Sequence, residues 1–171
     1  AGEHIGPQNL SILTLLDIVP EETKTAMRYS VQHWDRLKAR MNELGITKEY
    51  LAIQPTARQL FKSWDNDKFA AVINHLMDKG YDVILTAGPG KEDADIIDDI
   101  VRQCTRKPVT EFAGKTSFPQ LAALIDHAAL FIGVDSAPGH IAAAVDTPVV
   151  CLFGATKHRF WHPWTEKLEL L

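Results

Sequence analysis

Leu130-Phe131-Ile132-Gly133-Val134-Asp135-Ser136-Ala137-Pro138-Gly139-His140-Ile141-Ala142-Ala143-Ala144 opens as a short apolar run, turns through a polar loop, and continues as a run of small residues. The apolar run reads as a strand, Leu130–Val134, buried on both faces. The small residues suit a helix lying close against a sheet. A strand that runs through a tight loop into a helix is the repeating step of a parallel α/β fold.

Outward from this stretch the same alternation continues in both directions, and five strands are predicted: Leu51–Gln54, Asp82–Ala87, Val109–Phe112, Leu130–Val134 and Pro148–Phe153. Between the first two, Phe69, Val72, Ile73, Leu76 and Met77 recur at helical spacing, with Gly80 as the stop. Ile97, Ile100, Val101 and Cys104 mark the next helix. Ser117-Phe118-Pro119-Gln120 reads as a Ser-x-x-Gln capping box with proline in the first turn, ahead of the stripe Leu121, Leu124, Ile125 and Ala128. The first fifty residues differ. They predict a helix near Gln8–Leu16, a break at Pro20, and a long helix from about Glu22 to Leu44 that Gly45 ends, its charged face (Lys24, Arg28, Asp35, Arg36, Lys38, Arg40) turned to solvent.

The chain has 171 residues, enough for one domain with a full core. Its 18 Lys and Arg against 22 Asp and Glu give a net charge of −4, which lacks the basic surplus of a nucleic-acid binder. Cys104 and Cys151 stand far apart in no CxxC spacing, so neither a disulfide framework nor a thiolate metal site is predicted, and a reducing, cytoplasmic setting is expected. The apolar stretch Leu121–Val134 is interrupted by Asp126 and His127 and falls short of the roughly 20 residues of a membrane-spanning helix. Ala1-Gly2-Glu3-His4 has no basic stretch leading into an apolar run, so no secretory signal is read there, and the chain is expected to begin inside something longer.

Ligands of open α/β sheets gather beyond the carboxyl ends of the strands. After the first predicted strand, Pro55-Thr56-Ala57-Arg58 to Lys62-Ser63-Trp64 brings hydroxyl, guanidinium and ammonium groups that suit phosphate, or a solvated surface loop. After the second, Gly88-Pro89-Gly90-Lys91-Glu92 has neither the third glycine of GxGxxG nor a GK[ST] ending, and reads as a tight turn. Glu92 is placed either to accept hydrogen bonds from ribose or to serve as a first-turn acid. After the fourth, Ser136, the backbone N–H groups near Ala137 and Gly139, and His140 can hold phosphate oxygens, while Asp135 is alternatively an N-cap. His140, His158 and His162 lack metal-site spacing and a carboxylate partner, so no metal is expected.

The block Val134–Ala144, followed by Thr147-Pro148-Val149-Val150 and Phe153-Gly154-Ala155-Thr156, resembles the signature of the lipopolysaccharide heptosyltransferases, glycosyltransferase family nine. The loop Pro55–Trp64, the turn Gly88–Glu92 and Gly114-Lys115-Thr116-Ser117 match as well, so the likeness runs from about Leu51 to Trp164. Within the family the chain is most similar to members that add the third, branching heptose of the inner core. The resemblance implies a Rossmann-like parallel sheet flanked by helices, the C-terminal domain of a GT-B enzyme, with residues 51–171 binding the donor and residues 1–50 forming a helical connecting segment or hinge.

It also implies ADP-L-glycero-β-D-manno-heptose as donor, with Thr56, Lys62, Glu92, Thr116, Asp135, Ser136, Ala137 and His140 as donor contacts. Lys62 and the Ser136–His140 turn would face the diphosphate, Glu92 the ribose and Thr116 the adenine. Ala137 stands where the family often has Gly. The proposed base and the acceptor site would lie in a first domain with no counterpart here, the lipopolysaccharide core would be the acceptor, contact would be peripheral to the inner membrane, and no cofactor is implied. Two other readings stay open: another nucleotide-sugar enzyme, such as an epimerase or a different-donor transferase, and a non-catalytic α/β binding module.

Overall fold

The computed structural model describes residues 4–171; the opening Ala1-Gly2-Glu3, read above for a secretory signal, lies outside the described residues. Five parallel strands form one sheet: β1 (Tyr50–Gln54), β2 (Asp82–Leu85), β3 (Leu130–Val134), β4 (Val149–Leu152) and β5 (Leu168–Leu170), in spatial order β2-β1-β3-β4-β5. The chain leaves β1 toward one edge and returns to the other side of it with β3. The switch point of the sheet therefore lies between β1 and β3, where open α/β sheets place their ligands.

Among the described residues seven α-helices accompany the sheet: α1 (Ile5–Ser11), α2 (Val31–Glu43), α3 (Asn66–Asp78), α4 (Lys91–Gln103), α5 (Phe118–Asp126), α6 (Ala137–Ala144) and α7 (His158–Trp161). Successive side chains of a strand point to opposite faces, and two cores follow from that alternation. On one face Ile53, Val83, Leu85, Ile132 and Val134 meet Phe69 and Ile73 of α3 and Ile97 and Ile100 of α4. On the other, Ala52, Ile84, Phe131 and Cys151 meet Leu37 and Met41 of α2, the apolar side of α5, and Ile141 and Ala142 of α6. All five residues of β1 are buried, as a central strand covered on both faces requires. The Ser117 capping box of α5 forms with Gln120, and Gly45, at φ +76°, ends the α2 turn.

Three expectations are corrected. The predicted strand Val109–Phe112 is a single bridge from Val109 to Ile84, because the chain turns at once, with Ala113 N–H bonding to Thr110 O and Lys115 N–H to Phe112 O. The fifth strand of the sheet is instead Leu168–Leu170, at the edge. The helix expected over Glu22–Leu44 spans only Val31–Glu43: Ser30 takes the N-cap position, closing a reciprocal bond pair with His33, and residues 22–30 run without helix as a strap. The strap's backbone is engaged elsewhere, with Met27 N–H donating to Ala144 O and Thr23 O accepting from the Trp164 indole.

Candidate functional site

The carboxyl ends of β1, β2 and β3 open onto a cavity of about 1080 Å³. The segment after β1 supplies Thr56, Ala57, Arg58, Gln59 and Lys62; the turn after β2 supplies Ala87, Gly88, Pro89 and, from α4, Asp93. The start of α5 adds Thr116, Ser117, Phe118 and Pro119, and the β3–α6 junction adds Asp135, Ser136, Ala137 and Pro138.

The floor is set by a chain of buried polar groups. Gln54, 4% exposed, ends β1: Nε2 donates to Thr56 Oγ1 at 2.8 Å and to Thr56 O at 3.1 Å, while Oε1 accepts from Thr86 Oγ1 at 2.7 Å. Each buried group thus has a partner, and the ends of β1 and β2 are tied at the cavity's edge.

Beside it Asp135, 5% exposed, accepts from two sides at one oxygen: Lys62 Nζ lies 2.8 Å and Thr156 Oγ1 2.7 Å from Oδ2. Burying this pair costs desolvation, which the close geometry and the added hydroxyl bond offset. The N-cap position of α6 falls on Ser136, whose Oγ donates to Val134 O at 3.1 Å, so Asp135 is an ion-pair partner rather than the cap. Beneath the junction, Cys151 is buried and its thiol is pushed up to about 12, first by burial, then by the Asp135 charge against the opposing pull of Lys62. It stays protonated and unreactive at neutral pH.

One wall depends on Gly114. Its φ of +69° is left-handed, its N–H bonds to Ala87 O at 3.1 Å, and a Cβ there would stand 2.9 Å from Gly88 O. The Gly114 turn is thereby locked onto the turn after β2, just ahead of Thr116, which lines the same cavity as Thr56.

Of the residues singled out in the sequence, Thr56, Lys62, Thr116, Asp135, Ser136 and Ala137 all line this cavity. Glu92 lies exposed in the first turn of α4, outside the lining; the acid that faces the cavity from that segment is Asp93, whose Oδ1 accepts from Gly88 N–H at 3.3 Å. His140 is also outside the lining, on the exposed side of α6. Desolvation of its ring holds its imidazole below the ordinary value against the opposing charge of Asp135, and His4, His162 and Lys62 push the same way as desolvation. Sequence reading missed Gln54, Asp93 and Thr156. Gln54 carried a signal, as the lone polar residue closing an apolar strand, whereas Thr156 stood in the family signature with nothing to tie it to Asp135, 21 positions away.

A family model described as glycosyltransferase family 9 (heptosyltransferase) matches residues 12–171. The chain belongs to glycosyltransferase family 9. Among curated members of that family, it is 56% identical over 167 residues to lipopolysaccharide heptosyltransferase 3 of Escherichia coli strain K12, covering 98% of this chain and 48% of that protein. The chain spans about half the length of the curated relatives it matches. A solved family 9 glycosyltransferase from Veillonella parvula superposes with a TM-score of 0.91 at 21% identity, over 100% of this chain and 49% of that one. The E. coli ADP-heptose lipopolysaccharide heptosyltransferase II gives 0.76 at 22% identity, over 90% of this chain and 47% of that one. At those identities the two structures speak to the fold, which is the Rossmann-like parallel sheet of family 9.

Proposed function

We propose that this chain is the donor-binding half of an inverting heptosyltransferase that moves heptose from ADP-L-glycero-D-manno-heptose to the inner core of lipopolysaccharide. The observation that carries the reading is the convergence of Thr56, Lys62, Thr116, Asp135 and Ser136 on one cavity over the switch point of the sheet, in a chain of family 9. The name of the relative at 56% identity supports the acceptor class. Residues 1–50 would connect to, and hinge against, the part that holds the acceptor, on the cytoplasmic face of the inner membrane.

In the reaction, a base outside this chain takes the proton of an acceptor hydroxyl, and that oxygen attacks the anomeric carbon from the face opposite the diphosphate. The new carbon–oxygen bond forms as the bond to the phosphate oxygen breaks, and ADP leaves with the electron pair. This chain's share is to hold the diphosphate and to stabilise the charge growing on it, through fixed donors rather than reorganised water. The apolar wall of Phe118, Pro119 and Leu121 gives the nucleobase a face to lie on.

Calorimetric titration with ADP-heptose, ADP and UDP tests the reading. The donor and ADP are expected to bind and UDP not, with binding weakened in Lys62→Ala. Equal binding of UDP would favour a different nucleotide-sugar enzyme, and binding of none of the three would defeat the donor-site reading.

A further inference from the structure

The charges around the cavity do not match a diphosphate as simply as the presence of Lys62 suggests. Its ionisable lining consists of two cations, Arg58 and Lys62, and two carboxylates, Asp93 and Asp135. Formal charge therefore sums to zero where a dianion or trianion is to be held. Lys62 is already ion-paired, 2.8 Å from Asp135 Oδ2, and that carboxylate is fixed in turn by Thr156. Asp93 is tied to the Gly88 amide. Arg58, on the exposed loop four residues before Lys62, makes no ion pair or side-chain hydrogen bond among the described residues.

We propose that Arg58 is the residue that selects for the diphosphate, supplying the uncompensated charge with its guanidinium fork while the Lys62–Asp135 pair acts as a neutral, orienting donor. The proposal rests on the donor-site reading above and deepens it. An arginine suits the task because its planar donors match two phosphate oxygens at once, and because it stays charged at any working pH. Exposure of its loop leaves the side chain free to close on the ligand.

The test compares ADP with adenosine, which share the base and ribose and differ in the diphosphate, on the unaltered chain and on Arg58→Gln and Arg58→Lys. Arg58 has no partner to lose among the described residues, so both variants are expected to keep the parent's far-ultraviolet spectrum and melting temperature. ADP affinity is expected to fall about tenfold or more in Arg58→Gln and to recover only in part in Arg58→Lys, with adenosine affinity changing less than about twofold. The loss of ADP affinity between about 0.1 M and 1 M salt should also become shallower in Arg58→Gln. ADP binding by Arg58→Gln at the parent's strength and salt dependence would overturn this assignment while leaving the donor site standing. An unaltered chain that binds neither ADP nor adenosine would overturn both.

Discussion

Two residues beside the cavity each make a prediction. Desolvation keeps the His140 imidazole below the ordinary value against the opposing charge of Asp135, so near neutral pH it is uncharged. A diphosphate arriving next to Lys62 and Asp135, the groups whose charges His140 already feels, would favour the imidazolium and raise that value. Binding should then take up a proton, and ADP affinity should rise as pH falls from about 7 toward about 5. Calorimetry in two buffers of different ionisation enthalpy reads that proton directly, and His140→Asn should abolish it. Gly114 makes the second prediction. Alanine there must adopt a left-handed backbone and also displace Gly88 O from 2.9 Å, whereas alanine at Gly45 meets the same backbone strain with nothing within 4 Å. Gly114→Ala is expected to cost about 1–3 kcal/mol in urea unfolding and Gly45→Ala the lesser share of that range, the difference measuring the clash between the two loops.

At the level of elements, the strand ends matter more than the strand middles. Gln54→Leu would leave the buried Thr56 hydroxyl without a partner and Thr86 Oγ1 with only its 3.4 Å bond to Ile53 O, and should lower stability by about 1–3 kcal/mol while loosening the loop that carries Arg58 and Lys62. Differential scanning calorimetry and ADP titration on the same variant separate the two effects. The elements legible in the sequence were those whose own residues decide them. The spacing of Phe69 and Ile73 fixes the buried side of α3, Ser117 and Gln120 fix the start of α5, and unbroken apolar runs give β1 and β3. Those that were not legible are decided by distant partners. Leu168–Leu170 has three residues with Glu169 between its apolar ones, and becomes a strand because β4 offers it a free edge. The strap has helical composition, yet Met27 and Tyr29 pack on the core with exposed Arg28 between them, a two-residue spacing set by the surface beneath. The cavity divides the same way: residues within one strand-end segment could be read from spacing, whereas the contact between Asp135 and Thr156 could not.

Over the whole molecule, the strap and α1 are held differently from the sheet. His4 donates from Nε2 to His162 O at 2.8 Å and accepts from Gly6 N–H at Nδ1, its ring stacks on Trp164, and the Trp164 indole donates to Thr23 O at 3.0 Å. Few buried apolar side chains back these contacts, because Leu15, Leu16 and Val19 are 82%, 69% and 85% exposed. The segment should open without the sheet opening. Trp164→Ala is expected to make residues 17–30 cleavable by protease while amide exchange in β1 and β3 stays at the parent's rate; loss of protection in those strands would mean that the strap is part of the cooperative core.

The clamp between His4 and His162 has a consequence for how the protein is made. A polypeptide leaves the ribosome amino end first, so His4 and Thr23 emerge long before the residues that receive them, and the seat of the strap is incomplete until His162 and Trp164 follow. The strands β1 to β4 can pair in the order of their synthesis, but the strap, made before them, settles fully only after them. A chain cut just short of Trp164 would therefore keep every residue that lines the cavity while the strap lost its anchor at Thr23.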